Sequence, residues 1–206
     1  MRVAAEQERS WVLQAQKGDQ RAFAKLVEVY QTPVYNLAYR MLGSAEEAED
    51  AAQETFIRAY TRFDSYDPER KFSSWILSIA SHHCVDRLRR RKGNTVSLEA
   101  IQSWRWIPDK LPRPEEETLQ QEQERNIRRL LDQLPEQYRL VIILRYWYDM
   151  PYEEMAEMTE TTVSAVKSRL HRARQMMAMK LNESETVGQD VKPSRRISEN
   201  AMLGSF

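Results

Sequence analysis

The chain has 206 residues, room for one medium domain or two small ones, and its 31 basic and 31 acidic residues cancel, so net charge singles out no class of partner. Five glycines, set against abundant Ala, Leu, Glu, Arg and Gln, favour helix over sheet, and a single cysteine, Cys84, excludes an internal disulfide and suits a reducing cytosol. No stretch approaches the ~20 apolar residues of a membrane span, and residues 1–16 lack the apolar run of a signal peptide, so a cytoplasmic location is expected.

Helical spacing begins with Ala22, Phe23, Leu26, Val27 and Tyr30, and resumes after Pro33 with Val34, Leu37, Ala38, Met41 and Leu42. Gly43 breaks it, and Ser44 with Glu47 forms a capping-box signature for the next helix. There Ala48, Ala51, Ala52, Thr55, Phe56, Ala59 and Phe63 make an inward stripe. The opposite face carries Asp50, Gln53, Glu54, Ile57, Arg58 and Thr61. Acid mixed with an outward Ile suits a protein partner, though pattern alone favours an ordinary solvated face.

Turn residues make 64–70 a loop. A further helix follows, with Phe72, Trp75, Ile76, Ile79, Ala80 and His83 on its apolar face and a basic run from Arg87 to Lys92 at its end. Its outer positions Ser74, Ser78, His82, Asp86 and Arg89 could meet nucleic acid. Trp75 suits the core by pattern and a stacked base by its neighbouring polar loop. The run His82-His83-Cys84 is a poor metal site, because adjacent helical residues diverge and no second ligand pair exists in the sequence.

From 95 to 124 no period holds. Pro108, Pro112 and Pro114 interrupt an acidic linker that also carries Trp104 and Trp106. Spacing resumes at Ile127, Leu130, Leu131 and Leu134, and Pro135 opens a helix with Tyr138, Val141, Ile142 and Leu144. A turn at 149–151 then precedes a short helix with Met155, Ala156 and Met158. A second break at 159–162 precedes a longer one with Val163, Val166, Leu170, Ala173 and Met177.

Short helix, tight turn, longer helix is the layout of a helix-turn-helix. The first helix carries Glu153, Glu154 and Glu157; the second carries Lys167, Arg169, Arg172, Arg174 and Lys180, with no acid across 161–181. Such a helix suits phosphate and guanine edges, with Ser164 as its cap, although a solvated basic face has the same pattern. The stretch 182–206 is polar and unpatterned and is expected to be disordered. No Gly-rich phosphate loop, metal-spaced ligand set or acid–base cluster occurs, so no enzymatic activity, cofactor, metal or small-molecule substrate is expected.

Taken together, Tyr39-Arg40-Met41-Leu42-Gly43, then 49–60 (EDAAQETFIRAY), Lys71-Phe72-Ser73-Ser74-Trp75-Ile76, Asp86-Arg87-Leu88-Arg89-Arg90 and 166–174 (VKSRLHRAR) resemble the extracytoplasmic-function sigma factors, the compact group 4 class of the sigma-70 family. The resemblance covers 18–92 and 130–181. Over 18–92 it is strongest to members that answer cell-envelope stress.

It implies an all-α fold of two small domains: a region-2-like bundle over 1–92 and a region-4-like helix-turn-helix over 125–181, with a linker at 93–124 and a tail at 182–206. The implied function is an alternative sigma factor, monomeric outside the holoenzyme, that recognises −10 and −35 promoter elements. Asp50, Gln53, Glu54, Ile57 and Arg58 would dock on the clamp coiled coil of the polymerase beta-prime subunit, and the second domain on the beta flap. Ser65, Lys71, Phe72, Ser74, Trp75, His82, Asp86, Arg89 and Arg90 would read the −10 element, with a base captured by the 65–71 loop. Ser164, Lys167, Ser168, Arg169, His171 and Arg172 would read the −35 element. An anti-sigma factor is the implied antagonist.

Two departures stand out. Ser78 and Ile79 occupy the positions of the Trp pair that wedges duplex open in housekeeping members, which implies weaker melting. Ser164-Ala165 replaces a common Gly-Thr, so a phosphate contact from that Thr is not carried over. The rival reading is a conventional helix-turn-helix regulator, which would bind duplex without core polymerase, as a dimer on a palindrome.

Overall fold

Residues 5–93 and 119–189 are described in the computed structural model, with side chains over 6–91 and 125–181. No strand occurs among them. Helix α1 (Ala5–Gln16) carries no apolar stripe that the sequence would betray and buries Val12. Polar bonds tie it down: the Tyr30 hydroxyl donates to Glu8 at 2.6 Å and the Gln16 amide to the Tyr66 carbonyl at 2.7 Å.

Asp19 caps helix α2 (Gln20–Leu42), its carboxylate accepting from the amides of Arg21 and Ala22. The helix runs unbroken through Pro33. A mid-helix proline costs about 3 kcal/mol. Val34, Leu37 and Met41, fully buried just beyond it, each contribute ~1.5–3 kcal/mol by leaving water, and together they outweigh it.

Gly43 ends α2 in the left-handed region (φ 79°), its amide returning to the Tyr39 carbonyl. A Cβ there would also stand 3.4 Å from the Asp132 carboxylate. Ser44 then caps helix α3 (Ala45–Thr61) through the Glu47 amide at 3.4 Å. Only half of the expected box forms, because the Glu47 carboxylate pairs with Arg87 and Arg91 instead. The buried Ala48, Ala51, Ala52 and Ala59 let α3 lie close to its neighbours.

A short 3-10 turn (Phe63–Ser65) leads through the loop to helix α4 (Phe72–Gly93). Its buried side is Phe72, Ile76, Leu77, Ala80, Ser81 and Cys84. Trp75, Ile79 and His83, expected inside, are half-buried at the margin. Burial shifts toward Leu77 and Cys84 because α4 is covered on a second side by the C-terminal helices. Burial raises the Cys84 thiol to about 12. Cys84 is therefore expected to resist Ellman's reagent at mildly alkaline pH until the chain is unfolded, and rapid labelling of folded protein would contradict this burial.

The second half comprises α5 (Leu119–Asp132), α6 (Glu136–Trp147), α7 (Tyr152–Met158) and α8 (Val163–Gln189). Leu131, Val141, Leu144, Met155, Val166, Leu170 and Ala173 fill its core. Helix α5 begins before the expected boundary at 125, and α8 continues past 181, so the first residues of the expected disordered tail are helical. Trp104 and Trp106 lie outside the described residues.

The two halves pack against each other, and one cluster of buried side chains runs through both. Buried Arg139 on α6 donates to the Met41 carbonyl at 2.5 Å, and the Tyr148 hydroxyl donates to the Pro33 carbonyl at 2.5 Å. Arg128 lies 4.3 Å above the Tyr39 ring and Arg40 5.1 Å from the Trp147 ring. No helix among the described residues is long and apolar enough to cross a membrane.

Candidate nucleic-acid interface

Helix α8 turns one side in and another out. Val166, Leu170 and Ala173 are buried, while Ser164, Lys167, Ser168, His171 and Arg172 are all exposed. Spacings of three and four residues put those five on a single stripe. Arg169 sits off the stripe and is half-buried. The expected cap is corrected: Thr162, not Ser164, caps α8, its hydroxyl accepting from the Ala165 amide at 3.2 Å. Ser164 falls inside the first turn, where its backbone is already helical and its side chain points to solvent.

The second surface is the loop before α4 and the outer side of α4. Ser65 is exposed, its hydroxyl donating to the Arg62 carbonyl at 2.7 Å. Lys71, Ser74, Trp75, Ser78 and His82 line one cleft, and Asp86, Arg89 and Arg90 continue along the exposed side of the helix.

Phe72 is a correction. It is 2% exposed, with its ring 5.1 Å from that of Tyr30 and 5.7 Å from that of Tyr66, so it belongs to the core beneath the surface and cannot touch DNA. Trp75 does both things its pattern allowed. It packs on Tyr66 at 4.7 Å and on Phe63 at 5.7 Å, and its remaining surface faces the cleft. Aromatic contacts of this kind hold the ring in one orientation, as a stacking platform requires.

The far wall of the cleft is α7. The Glu154 carboxylate accepts from the Ser74 hydroxyl and pairs with the Lys71 ammonium at 2.9 Å, and Glu153, Glu157 and Glu160 line the same space. Glu160 reaches it from a left-handed turn residue (φ 50°) between α7 and α8. Arg89 meets Glu136 across the same junction at 3.7 Å. Sequence reasoning missed this covering because Ser74 and Lys71 lie 80 and 83 positions from Glu154.

On α3 the outward residues are Asp50, Gln53, Glu54, Ile57 and Arg58, with Ile57 59% exposed. Arg58 bonds Glu54 at 2.6 Å and thereby holds that carboxyl below its usual range. Asp50 is held loosely, 3.6 Å from Arg87. Tyr60, nearly half exposed and edge-on to Phe23 at 5.1 Å, extends this surface; its place three residues after Ile57 was the available signal. His82 and His83 diverge as expected: His82 is exposed, while His83 is half-buried and kept below its ordinary range by burial and then by Arg58. Among the described residues no group of three or more His, Cys, Asp or Glu is placed to hold a metal.

Residues 26–93 match the family described as sigma-70 region 2, and residues 124–177 match sigma-70, region 4. The ECF RNA polymerase sigma factor SigW of Bacillus subtilis is 38% identical over 178 residues, covering 84% of this chain and 95% of the relative. The ECF RNA polymerase sigma-E factor of Escherichia coli is 32% identical over 176 residues, covering 82% and 92%. Among solved structures, CnrH in complex with the cytosolic domain of CnrY is similar at a TM-score of 0.62 and 26% identity, over 86% of this chain and 98% of that one.

Proposed function

The chain belongs to the sigma-70 family, as an alternative sigma factor of the extracytoplasmic-function class that works with core RNA polymerase to start transcription at specific promoters, and we propose the surfaces through which it does so. The α8 stripe enters the major groove of the −35 element, Lys167 and Arg172 toward bases and phosphates and Ser164 near the amides of the first turn. Arg169 acts from the flank, with His171 and Ser168 between. The surface of Ser65, Lys71, Ser74, Trp75, His82, Asp86, Arg89 and Arg90 takes the −10 element, with an unstacked base against Trp75. Asp50, Gln53, Glu54, Ile57 and Arg58 dock on the basic clamp coiled coil of the beta-prime subunit, and the region-4-like domain on the beta flap. In this reading the boundaries are 1–92, 93–124, 125–181 and 182–206, the chain is cytoplasmic and monomeric outside the holoenzyme, and the polymerase alone performs covalent chemistry.

The observation that carries this reading is the one-sided α8, whose five exposed polar and basic residues lie over a buried apolar edge in the stretch matching region 4. An anti-sigma antagonist is proposed because the relative CnrH is held by a cytosolic domain of CnrY.

Run-off transcription with purified core polymerase, this chain and a fragmented genomic library tests the whole. Discrete transcripts that require both proteins are expected. A shifted duplex with the chain alone, and no core-dependent transcript, would hand the case to the conventional regulator. For the −35 surface, Arg172→Ala is expected to weaken recognition by about 1–3 kcal/mol in competition between matched and mismatched promoters. An unchanged promoter preference would remove Arg172 from the reading set.

A further inference from the structure

Lys167 is the first cation on the exposed stripe of α8, and among the described residues no carboxylate pairs with it. A lysine ends a flexible four-carbon stem, and fixing that stem on a base sacrifices its freedom at the moment of binding. Here the ammonium already has a place. It lies over the ring of Tyr152, 5.7 Å from the centroid, within the ~6 Å at which an aromatic face attracts a cation. Unlike a carboxylate, a ring leaves the ammonium's outward donors free for an acceptor in the groove.

The ring is itself held. Tyr152 opens α7 directly after Pro151, whose extended backbone (φ −62°, ψ 153°) sets the entry to that helix, and it is half-buried against the core. The Arg145 guanidinium stands 5.5 Å from the same ring. Arg145 in turn bonds the Asp149 carboxylate at 3.1 Å and the Met150 carbonyl at 3.3 Å. A line of contacts thus runs from the corner between α6 and α7, through the ring, to the stripe on α8. Arg172, the other candidate base reader with a permanent charge, has no ring beneath it among the described residues.

We infer that Tyr152 is a positioning residue for −35 recognition, its ring holding the Lys167 ammonium so that this one cation meets the groove already aimed. The inference rests on the reading of the α8 stripe as the −35 surface and adds to it a residue from the other helix of the pair.

The test uses holoenzyme reconstituted from core polymerase and the full chain. A promoter that it transcribes competes with copies in which each −35 base pair is changed in turn. Lys167→Ala is expected to lose on the order of tenfold discrimination at one base pair. Tyr152→Leu is expected to lose about three- to fivefold at that same pair, with the other positions unchanged. Tyr152→Phe, which keeps the ring face and removes the hydroxyl, is expected to restore the discrimination. Tyr152→Leu added to Lys167→Ala is expected to remove nothing further. No loss in Tyr152→Leu, a loss spread over every −35 position, or one that Tyr152→Phe shares would each overturn the positioning role. A Lys167→Ala chain that keeps every preference would instead sink the assignment of Lys167 to the −35 surface. Because Tyr152→Leu also removes packing from α7, proton NMR of the wild-type chain gives an independent reading. The Lys167 ε-methylene protons, identified by their loss in Lys167→Ala, are expected upfield of those of the other lysines, and an unshifted resonance would overturn the contact.

Discussion

Asp50→Arg combined with Glu54→Arg is expected to abolish binding to core RNA polymerase, a loss on the order of a hundredfold or more, while the chain stays folded. The size follows from what charges at an interface do. Removing one partner of a close pair leaves the other charge unmatched, and reversing it adds repulsion. Two reversals on one stripe compound the effect against a basic partner. The fold tolerates the change because neither carboxylate anchors it. Asp50 keeps 60% of its side chain exposed and meets Arg87 only at 3.6 Å, and the Glu54–Arg58 pair lies within a single exposed helical turn. The buried side of α3, from Ala48 to Ala59, is untouched. The measurement is retention on immobilised core polymerase, with circular dichroism to follow the helix. Undiminished retention would move the docking surface elsewhere, with the exposed Ile57 and Tyr60 as the next residues to truncate.

What the sequence made legible was local. Periodicity found the buried edges of α2, α3 and α8, and the Gly43–Ser44 punctuation found the corner between α2 and α3, because both signals are written within a few residues. Capping was legible only to within a turn: Thr162 and Ser164 are both competent caps, and backbone geometry decided between them. Helix α1 was illegible, since its attachment through Glu8 and Gln16 depends on partners brought from other helices.

Among the candidate site residues, spacing gave the outward faces of α3 and α8, and the family resemblance gave the roles proposed for them. Phe72 was misplaced because it sits about one turn from the half-buried Trp75 in an aromatic cluster whose depth no pattern conveys. The apposition of the modules was the largest omission. Ser74 with Glu154 and Arg139 with Met41 are separated by 80 and 98 residues, and both look like ordinary polar residues in sequence.

Arg139→Ala should destabilise the chain by about 3 kcal/mol, more than any change at an exposed pair. Arg139 is 6% exposed. One nitrogen donates to the Met41 carbonyl at 2.5 Å and lies 3.2 Å from the Asp132 carboxylate; the other donates to the Asp132 carbonyl at 2.8 Å and the Leu134 carbonyl at 3.4 Å. Burial, and to a lesser degree the charge of Arg91, lowers its affinity for a proton, and Asp132 opposes that drop. Alanine leaves these carbonyls with no donor in a space that water enters poorly, at ~1–3 kcal/mol for each group that stays dry. Asp132 is half exposed and can rehydrate, which keeps the total toward the lower end of the ~3–5 kcal/mol seen for broken buried pairs.

The loss is shared between modules. Met41 lies at the end of α2, whereas Asp132 and Leu134 belong to the corner between α5 and α6. Differential scanning calorimetry is therefore expected to show a midpoint lower by roughly 6–12 °C, with separate transitions for the two modules as they lose a buried bond they share. Arg139→Lys, which keeps the charge but offers one compact donor group, should recover part of the midpoint and leave the separation visible. A melt that stays single and unmoved in Arg139→Ala would mean that the modules are held together by apolar contact alone.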